Sequence, residues 1–265
     1  MLTLHKFYRF ISLDLWGNLP SPLQRRISRA YANVYNKAFT RHIIKPYCRI
    51  NYDDPKYLEQ FCSATGSEHY SSFQDFFTRV YREGPPLSAS MVWPCEGLLC
   101  DYGLVTDLPE VNVKGDRRHI RTIFGELGQH IPDEYYFSNV FLHNNNYHRI
   151  HSPINGKVTA VEHIPGDLVL LRPWVYKHDP SLPALRNERV NVTIEDEQGN
   201  AWYLSIVGGP AVGTIVLEEG LGLGSWLETG DELGKFLLGS TLCMAAPVGL
   251  AHTELGQTVY VGDRL

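Results

Sequence analysis

The chain has 265 residues, 43% of them hydrophobic and 20% charged, with a formal net charge of −5. Those proportions exclude a disordered chain and fit one domain, or one domain with a helical appendage. The apolar run at 242–251 has only ten residues, and no stretch approaches the 18 that a membrane-spanning helix needs.

Charge is unevenly placed. Residues 1–50 hold nine Lys or Arg against the single acid Asp14, a net of +8, which leaves −13 for the remaining 215. That asymmetry implies an anionic partner for the N-terminal end. A nucleic-acid partner is not expected, because no zinc-finger, RRM or KH signature accompanies the charge. An anionic membrane is the favoured partner. Residues 1–16 lack the apolar core and small-residue cleavage site of a signal peptide. A mitochondrial presequence, equally basic and acid-poor, stays open.

Ser21-Pro22-Leu23-Gln24 reads as a helix start, with Ser21 as N-cap, Pro22 in the first helical position and Gln24 closing a capping box. Leu23, Ile27, Ala30, Tyr31, Val34, Tyr35 and Ala38 then share one stripe, with Arg25, Arg26, Arg29 and Lys37 beside or opposite it. Pro46 is expected to end the pattern. Such a basic amphipathic helix either packs on the protein or lies at a membrane interface. A second helix is predicted from Ser71 or Ser72, carrying Phe73, Phe76 and Phe77, and closed by Pro85-Pro86.

From about Met91 the texture changes to short Val/Ile/Leu/Tyr-rich runs between Gly, Pro and Asn turns. Strands are predicted at 158–162, 167–171, 190–194, 202–207 and 213–217, with a hairpin turn at Glu197-Gln198-Gly199-Asn200. The fold class is α+β: N-terminal amphipathic helices over 1–88, then a mainly antiparallel β sandwich or barrel over 89–265. The five cysteines (Cys48, Cys62, Cys95, Cys100, Cys243) are odd in number and scattered. They read as small hydrophobes in a reducing compartment, not as a zinc site or disulfide framework.

Four clusters carry possible chemistry. Tyr147-His148-Arg149-Ile150-His151-Ser152-Pro153 reads as a strand running into a turn, on which positions 148 and 151 point to opposite sides. No third ligand is spaced for zinc. Pro94-Cys95-Glu96-Gly97 is a turn with a carboxylate, either part of a site or an exposed turn acid. Arg186-Asn187-Glu188-Arg189 is a polar knot, either an ion-pair network or catalytic. Leu238-Gly239-Ser240-Thr241 contains the common dipeptide Gly-Ser, uninformative alone.

In this order the clusters resemble the phosphatidylserine decarboxylase family over nearly the whole chain. Phe76-Phe77-x-Arg79, Pro165-Gly166-Asp167-Leu168, Val207-Gly208 with Val212-Gly213, and Gly234-x-Phe236 ahead of the Leu-Gly-Ser-Thr stretch complete the match. The resemblance implies self-cleavage between Gly239 and Ser240. The Ser240 hydroxyl attacks the preceding carbonyl, and β-elimination of the ester turns Ser240 into a pyruvoyl cofactor. Glycine at 239 leaves that carbonyl unobstructed, and a serine nucleophile needs a base oriented by a carboxylate. By resemblance the base is His151, the carboxylate Glu96, and His148 returns a proton to the substrate α-carbon. No metal is implied. The pyruvoyl group acts as an electron sink while phosphatidylserine becomes phosphatidylethanolamine.

The implied partners are the lipid, an anionic membrane surface and the two cleaved chains of the protein itself, with a homodimer left open. The implied location is peripheral, on the cytoplasmic face of a membrane. Two departures stand out. Glu96 replaces the family Asp, which bears on self-processing rate. Lys114-Gly115-Asp116-Arg117-Arg118-His119 replaces Lys-Gly-x-x-Tyr-Ser, which bears on the pocket. The alternatives are a related decarboxylase of a soluble amino acid, or a non-processing relative that binds lipid or a partner protein.

Overall fold

The sheet residues are legible from their alternation. On β10 (Ala201–Gly208), Trp202, Leu204 and Ile206 enter one core, while Tyr203 and Val207 enter another. On β14 (Ser240–Ala246), Leu242, Met244 and Ala246 join the first core, Cys243 and Ala245 the second. A strand with both faces buried must be covered on both sides. The computed structural model describes residues 2–16, 18–176, 178–209, 215–237, 239–250 and 253–265.

The helices are α1 (Leu2–Phe10), α2 (Ser21–Tyr35), α3 (Ile44–Asn51), α4 (Lys56–Glu59), α5 (Phe73–Phe77) and α6 (Leu182–Arg186). The early strands are β1 (Phe61–Cys62), β2 (Val80–Tyr81), β3 (Gly97–Leu104), β4 (Val111–Val113) and β5 (Asp116–Arg118). They are followed by β6 (Tyr136–Leu142), β7 (Arg149–His151), β8 (Gly156–Ile164) and β9 (Arg189–Glu195). After β10 come β11 (Ile215–Leu217), β12 (Trp226–Leu227), β13 (Glu232–Phe236), β14 and β15 (Thr258–Val259).

Eight strands form one antiparallel sheet in the order β12-β8-β9-β10-β14-β6-β3-β15. A three-stranded sheet, β11-β13-β7, covers one face through Ile150, Leu233 and Phe236. The 3-10 turns Ile120–His130 and Pro173–Val175, with α6, cover the other through Ile123, Phe124, Val175 and Leu182. The fold is α+β, with sheet on sheet on one side and helical turns on the other.

Several local expectations shift. Helix α2 begins at Ser21 with Pro20 as its cap residue and no side-chain cap bond, and Gln24 instead donates to the Trp16 carbonyl. It ends at Tyr35, well before Pro46, which lies in the first turn of α3. Proline is tolerated there because that turn's N–H groups have no intrahelical acceptor. Residues 167–171 are not a strand: Asp167 makes one isolated bridge to Asn187, and the Asn187 side chain holds both backbone polar groups of Val169. The expected α5 is present, with Ser72 accepting from the Asp75 amide at 3.1 Å. The 197–200 hairpin joins β9 to β10 through Gly199 at φ +84°. Residues 210–214, which include Val212-Gly213, lie outside the described residues, as does Leu238. All five cysteines are free.

Candidate active site

Ser240 opens β14. It pairs with Gly208 on one side and Leu142 on the other, and is fully buried. Alternation puts its side chain on the Leu242 face, toward the three-stranded sheet. Its Oγ has no hydrogen-bond partner. An unsatisfied buried hydroxyl is costly and therefore calls for an explanation. The preceding carbonyl is tightly approached: a Cβ on Gly209 would collide with the Gly239 oxygen. A Cβ on Gly239 itself would meet only Asn144 Oδ1, at 3.8 Å. Glycine at 209 is thus needed for close approach, while the space around Gly239 is open.

His148 continues the β7 ladder, its carbonyl accepting from the Phe236 amide at 2.9 Å. Its ring packs on α5, whose Gln74 donates to the Leu237 carbonyl three residues before Ser240. The ring is fully buried, and its centroid lies 3.8 Å from that of Phe77. Nδ1 lies 2.9 Å from the Asn146 carbonyl. A carbonyl only accepts, so Nδ1 carries the proton and Nε2 the lone pair. That Nε2, like Ser240 Oγ, is a buried polar atom with no partner. Burial, helped by the Arg79 charge, pushes the His148 pKa down to about 3, so the ring is neutral.

His151 faces the other way. Its Nδ1 donates to the Gly230 carbonyl at 2.7 Å, and its Nε2 accepts from the Tyr147 hydroxyl at 3.0 Å. Burial lowers its pKa to about 4. Both ring nitrogens are therefore engaged, and no hydrogen bond joins His151 to Ser240 or to Glu96. The histidines lie on opposite sides, as three-residue spacing on a strand requires.

Glu96 is 2% exposed, which removes the exposed-turn reading. Its oxygens accept from Tyr57 Oη at 2.7 Å and Asn146 Nδ2 at 2.6 Å, with a further bond from the Tyr147 amide. Burial raises its pKa, against the pull of these donors and of Arg79. Glu96 thus reaches His148 through Asn146, whose side chain it holds and whose carbonyl accepts from His148 Nδ1. Arg79 secures the same loop. It is fully buried, donates to the Asn145 and Asn146 carbonyls at 3.0 and 2.9 Å, and lies over the Phe61 and Phe76 rings.

Asn144, Asn146, Tyr57 and Gly209 are members of this site that the motifs did not single out. The run Asn144-Asn145-Asn146 beside the histidines was the available signal. Arg186-Asn187-Glu188-Arg189 is a structural network: Arg186 binds Asp167, Asn187 binds the 169 backbone and the Gly208 carbonyl, and Arg189 binds the Ile123 and Thr122 carbonyls. Among the described residues there is no cluster of three or more His, Cys, Asp or Glu placed to hold a metal.

Residues 73–265 match the phosphatidylserine decarboxylase family model. The chain belongs to the phosphatidylserine decarboxylase family. It is 28% identical to a phosphatidylserine decarboxylase proenzyme of Methylibium petroleiphilum, over 98% of this chain and 91% of the relative. It is 30% identical to one from Polaromonas naphthalenivorans, over 79% and 82%. A third, from Methylobacillus flagellatus, is 33% identical over 67% and 70%. In this family member the first departure, Glu96, sits in the buried site. The second forms the β4–β5 hairpin, with Lys114 at its tip.

Proposed function

We propose that the chain cuts itself between Gly239 and Ser240 and then decarboxylates phosphatidylserine at an anionic membrane surface. The observation that carries this reading is the Ser240 hydroxyl, buried without a partner directly after a glycine whose Cβ position is open. In the first step Oγ bonds to the Gly239 carbonyl carbon, the peptide C–N bond breaks, and the serine nitrogen takes a proton. Loss of the Ser240 α-proton together with the Gly239 carboxylate leaves dehydroalanine at 240, whose imine tautomer is hydrolysed by water to the pyruvoyl ketone with release of ammonia. That group supplies a conjugated carbonyl able to accept the electrons released with carbon dioxide.

The remaining work falls to the side chains. A dry interior strengthens charge interactions and excludes water. His148 Nε2 is free and unprotonated there, suited to carry a proton to the substrate α-carbon. For the Ser240 proton, the family resemblance favours His151 with Glu96. A second reading has His148 take it, oriented by Glu96 through Asn146. It is favoured by the free His148 Nε2, whereas His151 would first have to give up the Tyr147 hydroxyl. Cleavage time courses of His148→Gln and His151→Gln separate the two: the variant of the true base stays uncut.

The membrane part rests on exposed apolar side chains among exposed cations. Phe7, Phe10, Leu23, Ile27, Val34, Phe39 and Ile50 all face solvent, beside Arg26, Arg29, Lys37, Arg41, Lys45 and Arg49. Among the described residues no helix is long and apolar enough to cross a membrane. Contact at the surface is the arrangement that uses both features. Carbon dioxide release from phosphatidylserine vesicles, compared with free serine, tests the substrate. Release from serine at an equal rate would assign a soluble amino acid instead.

A further inference from the structure

We propose that the cavity between the β4–β5 hairpin and residues 165–167 binds a phosphate-bearing anion. In the lipid setting, which rests on the reading above, this is the phosphodiester of the headgroup. The cavity measures about 200 Å³, below the size of a whole-ligand pocket and suited to one charged group.

Its wall carries Lys114, Arg118, Arg186 and Arg189 against a single carboxylate, Asp167. That carboxylate is shared, 2.9 Å from Lys114 Nζ and 2.7 Å from Arg186 Nη2. Arg118 has only Asp116 near it, at 3.9 Å on the open surface. Arg189 is 7% exposed and has no carboxylate partner. Its Nε, Nη1 and Nη2 donate to the Ile123, Asn187 and Thr122 carbonyls, leaving two of its five N–H groups unassigned. Burial, helped by the Arg118 charge, pushes its pKa down to about 10 against the pull of Cys243 and Glu162. A buried guanidinium with no carboxylate in ion-pair contact is costly, and an oxyanion that accepts its remaining donors offsets that cost. Lys114 is held at φ +54°, the one non-glycine residue with positive φ among those described. Lysine is rarely found there, and the bond to Asp167 holds its amine at the cavity.

Two neighbours define the position of the cavity. Residues 168–170, next along the chain, bind the N-terminal segment: Trp16 Nε1 donates to the Leu168 carbonyl and the Leu170 amide donates to Ser12 Oγ. On the other side Arg189 pairs with Val207, and Gly208 pairs with Ser240. Two strand spacings, about 10 Å, therefore separate the cavity's arginine from the scissile residue. Along the sheet the cavity thus lies about two strands from Ser240, on the face that carries Ile123 and opposite the face that carries the Ser240 side chain.

The test uses the full chain carrying Ser240→Ala, with calorimetric titration of glycerophosphoserine, inorganic phosphate and free serine. Both phosphate probes should bind. Arg118→Ala should weaken both at least tenfold and leave serine unchanged, and Arg118→Lys should recover part of the loss. Tighter binding of glycerophosphoserine than of phosphate assigns the site to a headgroup; the reverse order assigns it to free phosphate. If neither probe binds the parent, or if Arg118→Ala binds both as the parent does, the proposal is overturned. Arg118→Ala with Ser240 intact should still be cut at Gly239–Ser240. A chain that binds phosphate but is never cut would contradict the proposed reaction and leave the anion site standing.

Discussion

Leu23, Ile27 and Val34 stand 44–49% exposed on α2, whereas Trp202, Leu204 and Ile206 on β10 are buried completely. The two regions treat polar groups in opposite ways as well. The helices hold their cations in water, while the sheet layer buries a serine hydroxyl and an imidazole nitrogen with no partner at all. The contrast teaches how one chain divides its labour. Apolar surface left uncovered stabilises nothing within the fold and is available to a bilayer. Polar groups left unsatisfied destabilise the fold and are available to chemistry.

The largest effect expected from this contrast is on membrane attachment. With four or five of the exposed N-terminal cations facing an anionic bilayer at about 1 kcal/mol each, roughly 4–5 kcal/mol of binding is electrostatic. Arg26→Gln, Arg29→Gln, Lys37→Gln and Arg41→Gln together should lower flotation with anionic liposomes by about three orders of magnitude, and high salt should do the same to the parent. Binding to neutral liposomes that equals this and ignores salt would break the comparison.

Stability should show the reverse pattern. Trp202→Ala, in the core, should cost about 3–5 kcal/mol in denaturant unfolding. Ile27→Ala, on the exposed stripe, should change stability by no more than about 0.5 kcal/mol. Equal losses would mean that α2 is packed as tightly as β10.

The two histidines sharpen the comparison through pH. Both have folded pKa values below the ordinary 6.5, about 3 for His148 and about 4 for His151. The unfolded chain therefore binds their protons first as pH falls. Their stabilising contribution is full above about 6.5, shrinks as the pH drops toward 4, and is lost by about pH 3. Where both unfolded imidazoles are charged and both folded ones neutral, near pH 5, the slope approaches about 1.4 kcal/mol per unit for each. Urea unfolding at pH 7 and pH 5 should show the fall, and each His→Gln variant should reduce the slope near pH 5 by about 1.4 kcal/mol per unit. Stability unchanged over that interval would contradict two neutral buried imidazoles.

Glu96 gives an effect on rate rather than on stability. It reaches both Tyr57 and Asn146 at under 2.8 Å, so the site is fitted to the longer acid. Glu96→Gln keeps the shape and loses the charge, and should slow self-cleavage on the order of 100-fold, the scale of a small misplacement at a catalytic contact. Glu96→Asp should slow it less, because the carboxylate remains but one contact is lost. A Gln variant that matures at the parental rate would remove Glu96 from the mechanism.

Much of this was legible in the chain. Period-two alternation marked β8, β9 and β10, Ser72 marked the start of α5, and the family motifs marked Gly239–Ser240. The length of α2 was not legible, because the stripe of apolar residues runs past Tyr35 in sequence while the backbone turns away. Residues 167–171 look like a strand, but the Asn187 side chain, not a neighbouring strand, satisfies their backbone. The direct Glu96–His151 contact was expected from the order of motifs. Asn146 and Tyr57 take the carboxylate instead, and polar partners brought in by a loop leave no periodic trace.

The central claim is that Ser240 attacks the carbonyl of Gly239. Intact-mass analysis of the purified chain and of Ser240→Ala tests it most directly. The parent should resolve into residues 1–239 and the 26-residue remainder, 240–265, with a blocked N-terminus, while the alanine variant should remain one chain. An uncut parent, or an alanine variant cut at the same bond, would contradict it.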